Sequence, residues 1–165
     1  MFDVLVFVYE HYWHGEACPE LQQLGRKLSA QGFEAEEIRD ALVWLDGLSF
    51  AAKSIALPDP QSHDSQPDCA AAQSASSMRV YSVAEQDQLG AACLGFVSFL
   101  DASGVLPAAM REIVIERAMA ASTNAPVSLD DLKIIVLMVY WSFGKEPDAL
   151  VLDELCDPAE GRLPH

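Results

Sequence analysis

The chain has 165 residues, 51% of them hydrophobic, enough to build a sizeable core in one domain or two small ones. A formal net charge of −15 repels polyanions such as nucleic acid and anionic membrane surfaces, and makes basic protein faces the natural partners. Cys18, Cys69, Cys93 and Cys156 lack the paired Cys-x-x-Cys spacing of a metal ribbon, and a chain of this length needs no disulfide framework, so reduced thiols in a cytoplasm are expected.

The apolar run Val4 to Tyr9 follows Asp3 rather than a basic region and precedes Glu10 rather than a small-residue cleavage site, so no export signal is expected. Phe2, Leu5, Val6, Tyr9, Tyr12 and Trp13 recur at helical spacing, which predicts a first helix over Phe2 to His14 with Asp3, Glu10 and His14 on a narrow polar strip. Pro19 opens a short second helix carrying Leu21, Leu24 and Leu28, closed by Gly32. A third runs from about Glu34, with Ile38, Ala41, Leu42, Leu45 and Leu48 on its buried stripe and Trp44 at the stripe's edge. Glu34, Glu36 and Glu37 lie in its first turn, where carboxylates complement the helix dipole.

Helical periodicity then fails from Ser49 to Leu57, and Pro58 to Ser77 is rich in Pro, Ser, Gln, Asp and Ala, which predicts a flexible linker or long loop over 58–77. Met78 to Tyr81 alternates as a strand would, and Phe50 to Ile55 could pair with it as a hairpin. Three helices and such a hairpin describe a winged-helix-like unit.

Ser82-Val83-Ala84-Glu85 is a capping box. The helix it starts carries Leu89, Cys93, Phe96, Val97 and Leu100 on one face and ends at Gly104. Pro107 opens the next, with Met110, Ile113, Val114 and Ala121 inward and Arg111, Glu112, Glu116 and Arg117 expected in solvent. Ser128 and Asp131 cap a further helix in which Ile134 to Trp141 are all apolar. Such a segment must be covered on every side, and it is too short to span a bilayer, which needs about 20 apolar residues. It is therefore the expected central helix. A last short helix is expected from Pro147, with Leu152, Leu155 and Cys156 inward, stopped by Asp157-Pro158. The architecture implied is all-α: an N-terminal three-helix unit over 1–57, the linker, a C-terminal helical unit over 78–157, and a tail over 158–165.

No motif assembles chemistry. His11, His14, Glu16 and Cys18 cluster, but their spacing does not supply the four closed ligands of a structural zinc site. No Gly-rich phosphate loop or Gly-x-Ser-x-Gly elbow occurs, and Asp130-Asp131 and Asp153-Glu154 fit helix-end and solvent-face charges. No catalytic, cofactor or metal residue is assigned, and a binding protein is expected rather than an enzyme. The second and third helices, joined by Gln31-Gly32-Phe33, have the lengths of a helix-turn-helix, whose second helix enters the major groove. Glu34, Glu36 and Glu37 would then face phosphates, which argues against direct DNA contact. An accessory role in nucleic-acid processing is the alternative to protein binding. Gly32-Phe33 followed by Ala41-Leu42 also resembles small helical domains of the ubiquitin-associated type, which implies a protein-binding surface. The candidate docking site is Trp44 with Glu34, Glu37 and Asp40, an aromatic anchor ringed by carboxylates. Alternatively Trp44 packs against the C-terminal helices.

Met1 to Leu5, the block from Gly32-Phe33 to Trp44-Leu45, Met78 to Tyr81, Arg111 to Arg117 and Leu129 to Lys133 together are similar to the bacterial Smg family. The resemblance spans nearly the whole chain and implies a cytoplasmic protein of unknown function, from a gene often found near one for a DNA-processing protein. It transfers no catalytic residue. Glu160 to His165 is similar to the family's ending, with Pro164 as an addition, and the 58–77 segment is longer than the family's usual one.

Overall fold

The computed structural model of the chain describes residues 1–12, 21–55, 79–121, 125–145 and 147, and among these every regular element is an α-helix. In chain order they are α1 (Phe2–Tyr12), α2 (Leu21–Gln31), α3 (Ala35–Ile55), α4 (Val83–Ala102), α5 (Ala108–Ala121) and α6 (Leu129–Ser142).

Local chemistry sets most of the boundaries. Gly32, at φ +96°, adopts the left-handed conformation that ends α2, and its N–H donates to the Ser29 carbonyl. Glu34 then opens α3, its carbonyl accepting from the Ile38 N–H at 3.0 Å. At α4 both halves of the capping box form: the Glu85 N–H donates to Ser82 Oγ, and the Ser82 N–H donates to the Glu85 carboxylate at 2.8 Å. Ser128 Oγ likewise accepts from the Asp131 N–H at 3.1 Å and starts α6.

The second half of α3 departs from the sequence expectation. Ser49 to Ile55 continue the helix, and no strand or hairpin occurs among the described residues, so the winged-helix-like arrangement is not formed. The inward positions there are the small Ala51 and Ala52, while Phe50 is left outside. Two alanines carry little apolar signal in the sequence. Arg79, Val80 and Tyr81 lead into the α4 cap without pairing.

The core belongs to helices from both halves of the chain. Leu132, Ile135, Val136, Met138 and Val139 of α6 are fully buried against α1, α3 and α5. Leu24 and Leu28 of α2 seat that helix on α3, and Val4, Leu5 and Val8 of α1 complete the same apolar cluster. Ile134 and Trp141 of α6 reach the surface in part, so the cover on this helix is not even all round. Trp141 donates its indole N–H to the Tyr12 carbonyl at 3.3 Å, tying the end of α6 to the end of α1.

A break at Gly90 (φ 66°, ψ 172°) divides α4. The freed Gln88 carbonyl accepts from the Val127 N–H at 2.9 Å, and the buried Cys93 thiol donates to the Val127 carbonyl, so the segment leading into α6 docks against the break. Burial, and secondarily the nearby Asp131 charge, raises the Cys93 pKa and keeps the thiol as a donor. Among the described residues no helix is long and apolar enough to cross a membrane. Trp13, His14, the 58–77 linker, Met78, the helix expected after Pro147 and the tail lie outside the described residues.

Candidate interaction surface

Of the four residues expected to form a docking site, three are at the surface and one is not. Trp44 is only 3% exposed, and its indole N–H donates to the Arg117 carbonyl of α5 at 3.0 Å. The packing alternative therefore holds for this side chain, and the indole is not the exposed anchor. Glu34 is exposed, Asp40 is exposed beside Arg39, and Glu37 is half-buried with Oε1 accepting from the Met1 ammonium at 3.1 Å.

The apolar groups that α3 does present are Val43 and Phe50, 69% and 75% exposed. They lie seven residues apart on a straight helix and so share a face. Arg39, Asp46 and Lys53 are exposed along the same edge. Between Val43 and Phe50 the chain carries Gly47, over which the Arg117 guanidinium lies: a Cβ there would come within 2.0 Å of Nη1. Arg117 was expected in solvent, yet its side chain is 12% exposed, and its Nε is buried without a hydrogen-bond partner among the described residues. The sequence carried the signal for this face, because Val43 and Phe50 fall off the buried stripe at a spacing of seven. Assigning Phe50 to a strand hid it.

Arg117 Nη2 donates to Glu116 at 2.7 Å, and Arg79 and Arg111 are likewise held in ion pairs. Arg79 donates to Glu85 and Glu112, both at 2.9 Å, with its guanidinium 4.8 Å from the Tyr81 ring centre. Arg111, expected in solvent, is 4% exposed and donates to Asp101 at 2.7 Å and Glu112 at 2.9 Å. Burial works against its charge, but the two carboxylates outweigh it, so its pKa is raised. The bond from Arg79, followed by the Ser82 N–H, holds Glu85 well below the usual carboxylate range, at about 2. Arg79, Ser82, Glu85, Glu112, Ile115, Glu116 and Met119 line a shallow cleft of about 500 Å³ between the start of α4 and α5. A base fixed in an ion pair at such a pKa is a poor proton acceptor near neutrality.

His11 stacks on Phe7 with ring centres 3.9 Å apart and its Nδ1 is 2.9 Å from the Phe7 carbonyl, whereas His14, Glu16 and Cys18 lie outside the described residues. Among the described residues no group of three or more His, Cys, Asp or Glu side chains is placed to hold a metal ion.

Fold and surface together define a protein that is helical throughout its described regular elements, with a mixed apolar and charged helix face. The family described as "Protein of unknown function (DUF494)" matches residues 1–165, and the chain belongs to it. It is 58% identical over 165 residues to the Smg homologs of Leptothrix cholodnii and Methylibium petroleiphilum, and 45% identical to that of Bordetella pertussis, in each case over 100% of both chains. The likeness to the Smg family noted in the sequence is thus shown over its full length. No solved structure matches the chain.

Proposed function

We propose that this protein is a non-enzymatic, cytoplasmic protein-interaction module and that the outward face of α3 is its docking surface. The observation that carries the proposal is the pair Val43 and Phe50, more than two-thirds exposed on one helix face and bordered by Asp40 and Asp46. Large apolar side chains grouped among charges on an otherwise acidic chain are what a partner's apolar anchors and basic groups would meet. The ion-paired state of Arg79, Arg111, Glu85 and Glu112 supports a binding role over catalysis, because those groups are occupied with one another. Direct nucleic-acid contact is not part of the proposal, since the start of α3 exposes Glu34 and Glu36, with Glu37 beside them paired to the Met1 ammonium.

The test is a photo-crosslinking side chain placed at position 50 in the living cell, with position 99 as the control on another exposed phenylalanine. Specific adducts from position 50, absent when Val43→Glu is added and absent from position 99, are expected. No adduct from position 50, or the same adducts from both positions, would refute the docking face.

A further inference from the structure

The order of side chains along this face specifies its occupant more closely. Arg39, Val43, Asp46, Phe50 and Lys53 follow one another at spacings of four, three, four and three, a single helix face along which another helix can lie lengthwise. All five are exposed, over a length of about 21 Å at 1.5 Å per residue. The seam reads cation, apolar, anion, apolar, cation, with Asp40 paired to Arg39 at 3.3 Å at one end.

That order is symmetric about Asp46, and the symmetry weighs against a closed pair of copies. A second copy laid parallel sets Arg39 on Arg39, Asp46 on Asp46 and Lys53 on Lys53. Laid antiparallel, it sets Arg39 on Lys53 and again Asp46 on Asp46. Both in-register arrangements place like charges opposite one another at every charged layer, which disfavours a closed pair. A stagger of seven residues matches Arg39 with Asp46 and Asp46 with Lys53 only in an open, head-to-tail array. The Arg117 guanidinium over Gly47 also fills the one place where a glycine could let two backbones approach closely.

Resting on the docking role of this face, we infer that its occupant is an amphipathic helix of a different protein, bearing the opposite charge order. That helix presents two apolar side chains seven residues apart to Val43 and Phe50, a lysine or arginine between them to Asp46, and carboxylates outside them to Arg39 and Lys53. The net charge of the whole chain attracts the central basic group and repels the two outer carboxylates, so the Asp46 pair contributes most.

Two synthetic helix-stabilised peptides test this in a nitrogen-15 NMR titration of the full chain. One carries the pattern Glu-x-x-x-Leu-x-x-Lys-x-x-x-Leu-x-x-Glu, and the other exchanges every Lys and Glu. The first should shift amides between Arg39 and Lys53 and bind about tenfold or more tightly than the second, because each charged layer is attractive in one and repulsive in the other. Asp46→Lys, at an exposed position, should weaken the first peptide by about tenfold while leaving the melting temperature unchanged. Equal affinities, shifts confined to other helices, or no binding by either peptide would overturn the inference. If position 50 still crosslinks specifically to another protein, the docking face survives that result and only the charge order falls. A dimer in sedimentation equilibrium that Phe50→Glu dissociates would also overturn it, with a second copy as the occupant.

Discussion

Replacing Trp44 separates an interior role from a surface one. The indole is 3% exposed between α3 and α5 and donates to the Arg117 carbonyl at 3.0 Å. Truncation to alanine removes a large buried ring and leaves a cavity that the helices fill only in part, a loss of about 3–5 kcal/mol. The orphaned carbonyl adds little, because a carbonyl inside a helix keeps a backbone donor. For a chain of this length each kcal/mol moves the melting temperature by about 2–4 °C, so Trp44→Ala should melt roughly 6–20 °C below the parent. Trp44→Phe keeps most of the packing and loses the hydrogen bond, with an expected cost of about 1–2 kcal/mol. Phe50→Ala, at an exposed position of the same helix, should stay within about 0.5 kcal/mol. Thermal and urea unfolding followed by circular dichroism at 222 nm reads all three. A Trp44→Ala protein as stable as the parent, or a Phe50→Ala protein as damaged as Trp44→Ala, would mean that the placement of α3 on α5 is wrong.

Gly90 sits at φ 66° and ψ 172°, a region that only glycine occupies readily, so Gly90→Ala should destabilise by about 1–3 kcal/mol. Gly95, with helical backbone and open space where a Cβ would stand, should instead gain about 0.5–1 kcal/mol as alanine, and a melting series in which the two changes act alike would contradict the break in α4. The folded pKa of Glu85 is depressed from 4.5 to about 2, so its ion pair contributes fully above pH 4.5 and is lost as the pH falls towards 2. Across that window the parent should lose about 1–2 kcal/mol more than Glu85→Gln does, the unscreened figure of about 3 kcal/mol being reduced by solvent at this surface pair. Parallel pH profiles of the two would show that the Arg79 pair adds nothing. Duplex DNA should show no binding tighter than a Kd of about 10⁻⁴ M at physiological salt, and a salt-sensitive submicromolar mobility shift would reverse that expectation.

Where a boundary depends on a few neighbouring residues, the amino-acid sequence by itself determines it here. Ser82 with Glu85, Ser128 with Asp131, and Gly32 close hydrogen bonds within a turn of themselves, so the ends they mark are legible without knowledge of the rest of the chain. The buried stripes of α2 and α4, and the depth of α6, follow from periodicity in the same way. Long-range packing decided the remainder. Ser49 to Ile55 stays helical with Ala51 and Ala52 turned inward and Phe50 outward, an order that small residues do not announce in the local pattern. Arg111 goes inside because α4 brings Asp101 to within 2.7 Å, a partner ten residues away that makes the burial of a guanidinium tolerable. Trp44, at the edge of its stripe, could have faced either way, and the carbonyl at Arg117 and the shelter of α5 turned it inward. The exposed seam of α3 is what remained once those contacts were filled, since a helix face is free only when every neighbour has taken another side.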